Sequence, residues 1–229
     1  MLTLQRAIGR HPYYFLALLI FVIAASVTIA LDNKVDCFIR MNPLHERWLD
    51  IFFIGLTYLG DGIFSLLMAA MVLLIWRDYR LAIHIVAAYL ISGLMAQVLK
   101  RIWMAPRPRM IIDGTMYKNF LAGISGTGFS SFPSGHTTSV FALATILVLH
   151  ATHKRWEGFF LFVAVLVGYS RIYLGQHFLP DVTAGALLGT CTGIMVYTFV
   201  NLRRRTAGKA SISEAMAEDP MYASNLAGN

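Results

Sequence analysis

The sequence predicts an all-α, polytopic membrane protein: a six-transmembrane-helix bundle with an interfacial helix before the second span. Three observations predict it. The chain is 57% hydrophobic and only 14% charged. Its mean hydropathy is +0.62. Long apolar runs recur at 13–31, 63–76, 81–99, 138–151, 159–174 and 182–202. By length alone, 229 residues suit one or two soluble domains, but this composition belongs to a chain whose solvent is a bilayer.

The elements follow in order. The first run has the length of a span, which needs about 17–25 residues. It exceeds the ~7–15 residues of a secretory apolar region, and Ala24-Ala25-Ser26 or Thr28-Ile29-Ala30 gives only a weak cleavage cue, so a retained anchor is expected. Cys37 falls in a loop and Cys191 within the last run, at opposite depths, which argues against a framework disulfide or a metal cluster. Residues 48–58 are apolar, with Asp50 near their start, before Leu59-Gly60-Asp61-Gly62 interrupts them; they read as an interfacial helix, a glycine break and then a membrane helix capped by Asp61. The runs 63–76 and 138–151 are short and must borrow flanking residues. For the second of these the helix is expected to start near Ser134, so that its first turn carries polar groups. Trp48, Trp76, Trp103 and Trp156 lie at span ends, as an aromatic belt would. Residues 1–202 form one membrane domain, and 203–229 a polar tail with a basic head, expected to be mobile.

Six spans put both termini on one side. The terminal side carries ten Lys and Arg residues and the other side nine. Lys100, Arg107 and Arg171 belong to chemical motifs and are needed whatever the topology; without them the count is six against ten. The termini are then cytoplasmic, and the motif side faces the periplasm or exterior of a bacterial-type inner membrane.

Charge at a membrane edge needs a reason, and here it gathers on one face. Lys100 ends the third span, Ser134 and His136 begin the fourth, Arg171 lies near the end of the fifth, and His177 and Asp181 precede the sixth. Three cations suit a multiply charged oxyanion, and arginine can fork onto two phosphate oxygens. Ser134-Gly135 opens a helix, where free N–H groups and the dipole favour an anion. Asp181, four residues after His177, can hold one imidazole nitrogen and aim the other as a nucleophile. His136 is then a second imidazole suited to protonate a leaving group. Together these groups spell phosphoryl transfer without a metal or cofactor.

Each group also has a plainer reading. Arg101 and Lys118 read as snorkelling interfacial residues, and Ser134-Gly135 alone as a helix cap. His177 with Asp181 alone is an ordinary ion pair. His84 reads as a packed or polar-facing histidine, while His45, His150 and His153 fall in loops and receive no role.

Taken in order, the motifs resemble those of the type 2 phosphatidic acid phosphatase superfamily. Lys100 is followed after six residues by Arg107-Pro108. Pro133-Ser134-Gly135-His136 is complete. Ser170-Arg171 is followed after five residues by His177 and, after three more, by Asp181. Nothing departs from the family pattern, and the six-span layout extends the likeness to nearly the whole chain except its tail. The resemblance implies that His177 attacks phosphorus to form a phosphohistidine, that Asp181 orients it, and that His136 protonates the leaving group and later serves as base toward water. It implies that Lys100, Arg107, Ser134, Gly135 and Arg171 bind the phosphate.

The implied partners are the bilayer and a membrane lipid phosphate: undecaprenyl pyrophosphate, phosphatidylglycerol phosphate, phosphatidic acid or lipid A phosphates. A broad lipid phosphatase is the leading reading. A dedicated lipid A phosphatase or a lipid phosphotransferase stands second, and a lipid or anion transporter third. A transporter needs polar residues along successive turns, whereas stretches such as 160–167 are uniformly apolar. The net charge of +7 fits anionic lipid, so nucleic acid need not be invoked. The sequence is silent on oligomeric state.

Overall fold

The computed structural model describes residues 5 and 8–218, with side chains as far as Leu202. Among the described residues the regular structure is helical throughout. Helix α1, Pro12–Leu31, starts with proline in its first turn, where no N–H is needed. Helix α2, Lys34–Met41, is an element the sequence reading took for a loop around Cys37. It forms because Asn33 accepts from the Val35 N–H at 2.9 Å and Asp36 and Arg40 suit its dipole ends. Its buried face is Cys37 and Phe38.

Helix α3, Arg47–Thr57, runs into a 3-10 turn, Tyr58–Gly60, and α4, Gly62–Met71, continues as a π turn through Trp76. The two halves bend by 62° at the expected glycine break. Asp61 caps α4 as expected, accepting from Ile63 N at 3.1 Å. Helix α5, Tyr79–Trp103, is capped by Asp78, and a single turn, α6, Pro108–Ile111, lies in the loop beyond. Helices α7, Gly135–His150, α8, Arg155–Tyr173, and α9, Leu179–Glu218, complete the chain. His150 therefore ends a helix rather than lying in a loop.

Helix α7 is the hub. Twelve of its sixteen residues are buried, and it packs on α9, α5 and α8. Its small hydroxyl residues satisfy themselves within the helix: Thr138 donates to Ser134 O at 2.8 Å and Thr145 to Phe141 O at 2.7 Å. Glycines bring α9 against it. A side chain at Gly185 would meet Ser134 O at 2.8 Å, and one at Gly189 would strike the Thr138 carbonyl. Small residues spaced by four allow this close backbone approach in apolar surroundings. At the opposite end from the motifs, Glu157 is fully buried; it takes the His11 ring at 3.1 Å and Tyr14 N at 3.1 Å, tying α1 to α8.

Among the described residues, four helices are long and apolar enough to cross a membrane, and a fifth span results if the bent pair is one crossing. Six were expected; the difference is α7, which at 16 residues falls short by the same criterion. The last helix continues beyond 202 to Glu218. The expected mobility of the tail concerns 219–229 and side chains past 202, which lie outside the described residues.

Candidate active site

Four helix ends meet on one face: the C-terminal turns of α5 and α8 and the N-terminal turns of α7 and α9. Ser134 N donates to Asp181 O at 3.0 Å, joining the starts of α7 and α9. All eight residues singled out in the sequence are carried by these ends or by the loops between them. Lys100 Nζ lies 3.8 Å from where a Cβ on Gly135 would stand, and it is within electrostatic reach of Arg107, Arg171 and Asp181. His136 is within such reach of His177, Arg171, Lys100 and Asp61.

His177 is 2% exposed and sits in the turn between α8 and α9, its N–H donating to Arg171 O at 3.2 Å. Its Nδ1 is 3.6 Å from Asp181 Oδ2, too far for a good hydrogen bond. The gap is bridged by a residue the sequence reading missed. Ser131 Oγ donates to Asp181 Oδ2 at 2.5 Å and lies 3.4 Å from His177 Nδ1. Phe178 N also donates to Asp181 Oδ2, at 2.9 Å. Asp181 Oδ2 is thus held by two donors on the Nδ1 side of the ring. Burial pushes the His177 imidazole down to about 4, against the opposing pull of Asp181. That shift favours the neutral ring at neutral pH.

The cations are held from behind. Arg171 Nη1 donates to Thr57 Oγ1 at 2.6 Å, which links it to the end of α3. Arg107 donates through Nη1 to the Gln176 side-chain oxygen, and Gln176 in turn donates to Ile124 O. The loop closes on itself through Arg107 N to Gly128 O and Ser131 N to Ala105 O, each 3.0 Å. The Nε groups of Arg107 and Arg171 are buried without a partner in the protein. Two unpaired guanidinium donors beside a lysine and a helix N-terminus form a cradle for an oxyanion.

Ser134 caps α7, its Oγ accepting from Thr137 N at 3.4 Å and Thr137 Oγ1 at 2.9 Å, so its own O–H remains for donation. Gly60 touches the site from outside: a Cβ there would fall 2.9 Å from both His136 Cβ and His136 O. Glycine alone lets the broken helix approach this closely. Gln176 lies inside the second spacing already quoted, and Ser131 stands just ahead of Pro133-Ser134-Gly135-His136, but only folding reveals what they touch.

The remaining histidines sort by depth. His45 contacts Asp50 at 3.1 Å and the Tyr117 hydroxyl at 2.8 Å, and stacks on Tyr173, bracing α3 against α8. His84 and His150 face each other at 4.9 Å at the far end of the bundle.

Known proteins share this chain's sequence pattern and fold. Residues 81–205 match the profile of the PAP2 superfamily. The chain is 30% identical over 189 residues to an undecaprenyl-diphosphatase of Sulfolobus acidocaldarius, covering 79% of this chain and 88% of that one. It is also 30% identical over 188 residues to a lipid A 4'-phosphatase of Porphyromonas gingivalis, covering 78% of each. Among solved structures it is similar to a transmembrane PAP2 type phosphatidylglycerolphosphate phosphatase from Bacillus subtilis. The TM-score there is 0.62 at 26% identity, over 83% of this chain and 96% of that one.

Proposed function

Because this chain belongs to the PAP2 superfamily, we propose that it is an integral membrane phosphatase that removes phosphate from lipid phosphates or pyrophosphates through a phosphohistidine. The observation that carries the mechanism is the buried, unprotonated His177 beside Asp181 and Ser131, ringed by Lys100, Arg107 and Arg171. His177 Nε2 attacks phosphorus as the bond to the lipid oxygen breaks, and His136, which takes up a proton when the anionic phosphate binds beside it, gives that proton to the lipid oxygen. Water then loses a proton to His136 and attacks phosphorus; the P–N bond breaks, phosphate leaves and His177 returns to its neutral form. The three cations, Ser134 O–H and the Gly135 N–H meet the charge that grows on the phosphoryl oxygens. Charge is thereby met by side chains and backbone, so turnover is expected without added metal.

The site lies at the end of the bundle opposite Glu157, and the excess of Lys and Arg at the other end, once Lys100, Arg107 and Arg171 are set aside, supports cytoplasmic termini and a site facing the exterior. The substrates named for the relatives, undecaprenyl diphosphate and lipid A phosphate among them, are the lipids to assay first.

The test is phosphate release by purified protein from a panel of lipid phosphates with chelator present, wild type beside His177→Ala and His136→Ala. Release that survives chelator, vanishes in His177→Ala and falls by about 10²–10⁴-fold in His136→Ala, most with the poorest leaving group, is the expected result. Release indifferent to His177 would overturn the mechanism.

A further inference from the structure

We propose that the wedge between α4, α7 and α8 seats the hydrocarbon chain of the substrate; this rests on the lipid phosphatase reading above. At the bend Gly60 packs on His136 of α7 and Val167 of α8, and beyond the 62° bend α4 packs on α5 and α7 rather than on α8. The space that opens has Leu59 and Met68 on one wall, Val140, Ala144 and Leu147 on its floor and Phe160 on the other wall, and holds about 190 Å³. A second cavity of about 690 Å³ shares Met68, Leu147 and Phe160 with it and continues to Asp78 and His150 at the far end. The two cavities adjoin at these three residues and follow α7.

The upper end of the wedge stops at the Gly60 turn, one helical turn from the active site. Leu59 precedes Gly60, which packs on His136 and Val167, and Val140 lies one turn below His136. Its length suits one leaflet: Val140 to Ala151 spans about 16 Å at ~1.5 Å per residue, against roughly half of a ~30 Å hydrocarbon core. The upper lining is almost wholly apolar, as a methylene chain requires. A second apolar groove, between α1 and α8 and lined by Val165, approaches the membrane from another side. It supplies the control.

The experiment compares kcat/KM for dioctanoyl and dipalmitoyl phosphatidic acid in the same detergent, using wild type, Ala144→Trp, Met68→Trp and, in the other groove, Val165→Trp. Filling the wedge should lower kcat/KM for the long-chain lipid by roughly tenfold or more, since several methylenes lose their contacts, and leave the short-chain value nearly unchanged. Val165→Trp should leave the ratio of the two as in wild type. The proposal fails if Ala144→Trp and Met68→Trp affect both lipids equally or neither, or if Val165→Trp changes the ratio as much; the wedge would then hold bilayer lipid or serve packing alone. A wild type that hydrolyses neither lipid would instead sink the phosphatase reading, which keeps the two failures apart.

Discussion

Ser131 shows how much of this site rests on single contacts. Its hydroxyl is the short link between the Asp181 carboxylate and the His177 ring, and a hydrogen bond to a charged group is worth about 1.5–3 kcal/mol. On the proposed mechanism Ser131→Ala should lower kcat by about tenfold or more with KM nearly unchanged, because it loosens His177 without touching the groups proposed to hold phosphate. Ser131→Thr should restore most of the loss. His177 makes a second prediction. Its folded imidazole titrates near 4, below the ordinary ~6.5 of the unfolded chain, so stability is complete above the unfolded value and is lost as pH falls from there toward about 4. His177→Gln should flatten that part of a thermal-midpoint profile, read between pH 7 and 4. The gathering of the eight motif residues at one end of the bundle was legible because their spacing ties them to the ends of apolar runs. Ser131, Gln176 and Thr57 were not, because each acts through a side chain 50, 69 or 114 residues away.

Between helices, stability depends on two unlike seams. The glycine seam of α9 against α7 tolerates no added atom: Gly189→Ala would push its methyl into the Thr138 carbonyl. It should lower both thermal stability and activity, since α7 and α9 each carry part of the site. Gly93 on α5 has nothing within 4 Å of a new Cβ, so Gly93→Ala should instead gain about 0.5–1 kcal/mol. The second seam is polar. Glu157→Ala leaves Tyr14 N and His11 without their acceptor, at a cost of about 1–3 kcal/mol per buried group. Activity per folded molecule should survive, because this seam lies at the other end. The long apolar runs, the Asp61 cap and the Ser134 helix start were readable beforehand. Helix α2 was not: it is one amphipathic octet whose hydrophobic face matters only once Phe38 meets Tyr117, Phe120 and Phe178.

At the scale of the molecule, the polar groups sort to two ends with apolar helix between them. The proposed orientation predicts that a cysteine at Lys118 in the site-side loop reacts with a membrane-impermeant thiol reagent from outside, and one at His153 does not. Labelling at His153 alone would invert the topology. The span count was the least legible feature, because a run of 14 apolar residues does not reveal whether its neighbours or lipid will surround it. Burial answers that for α7, and its shortness has an effect of its own. Sixteen residues at ~1.5 Å make about 24 Å, while the hydrocarbon core is about 30 Å thick. With the far end of α7 level with the opposite edge of the core, the proposed phosphate site on its first turn is predicted to lie several ångströms below the plane in which headgroups float. Substrate must sink, or the membrane must dip, before the two can meet. Thinner host bilayers ease that descent and thicker ones oppose it, so the catalytic rate becomes a gauge of the thickness of the membrane around the protein.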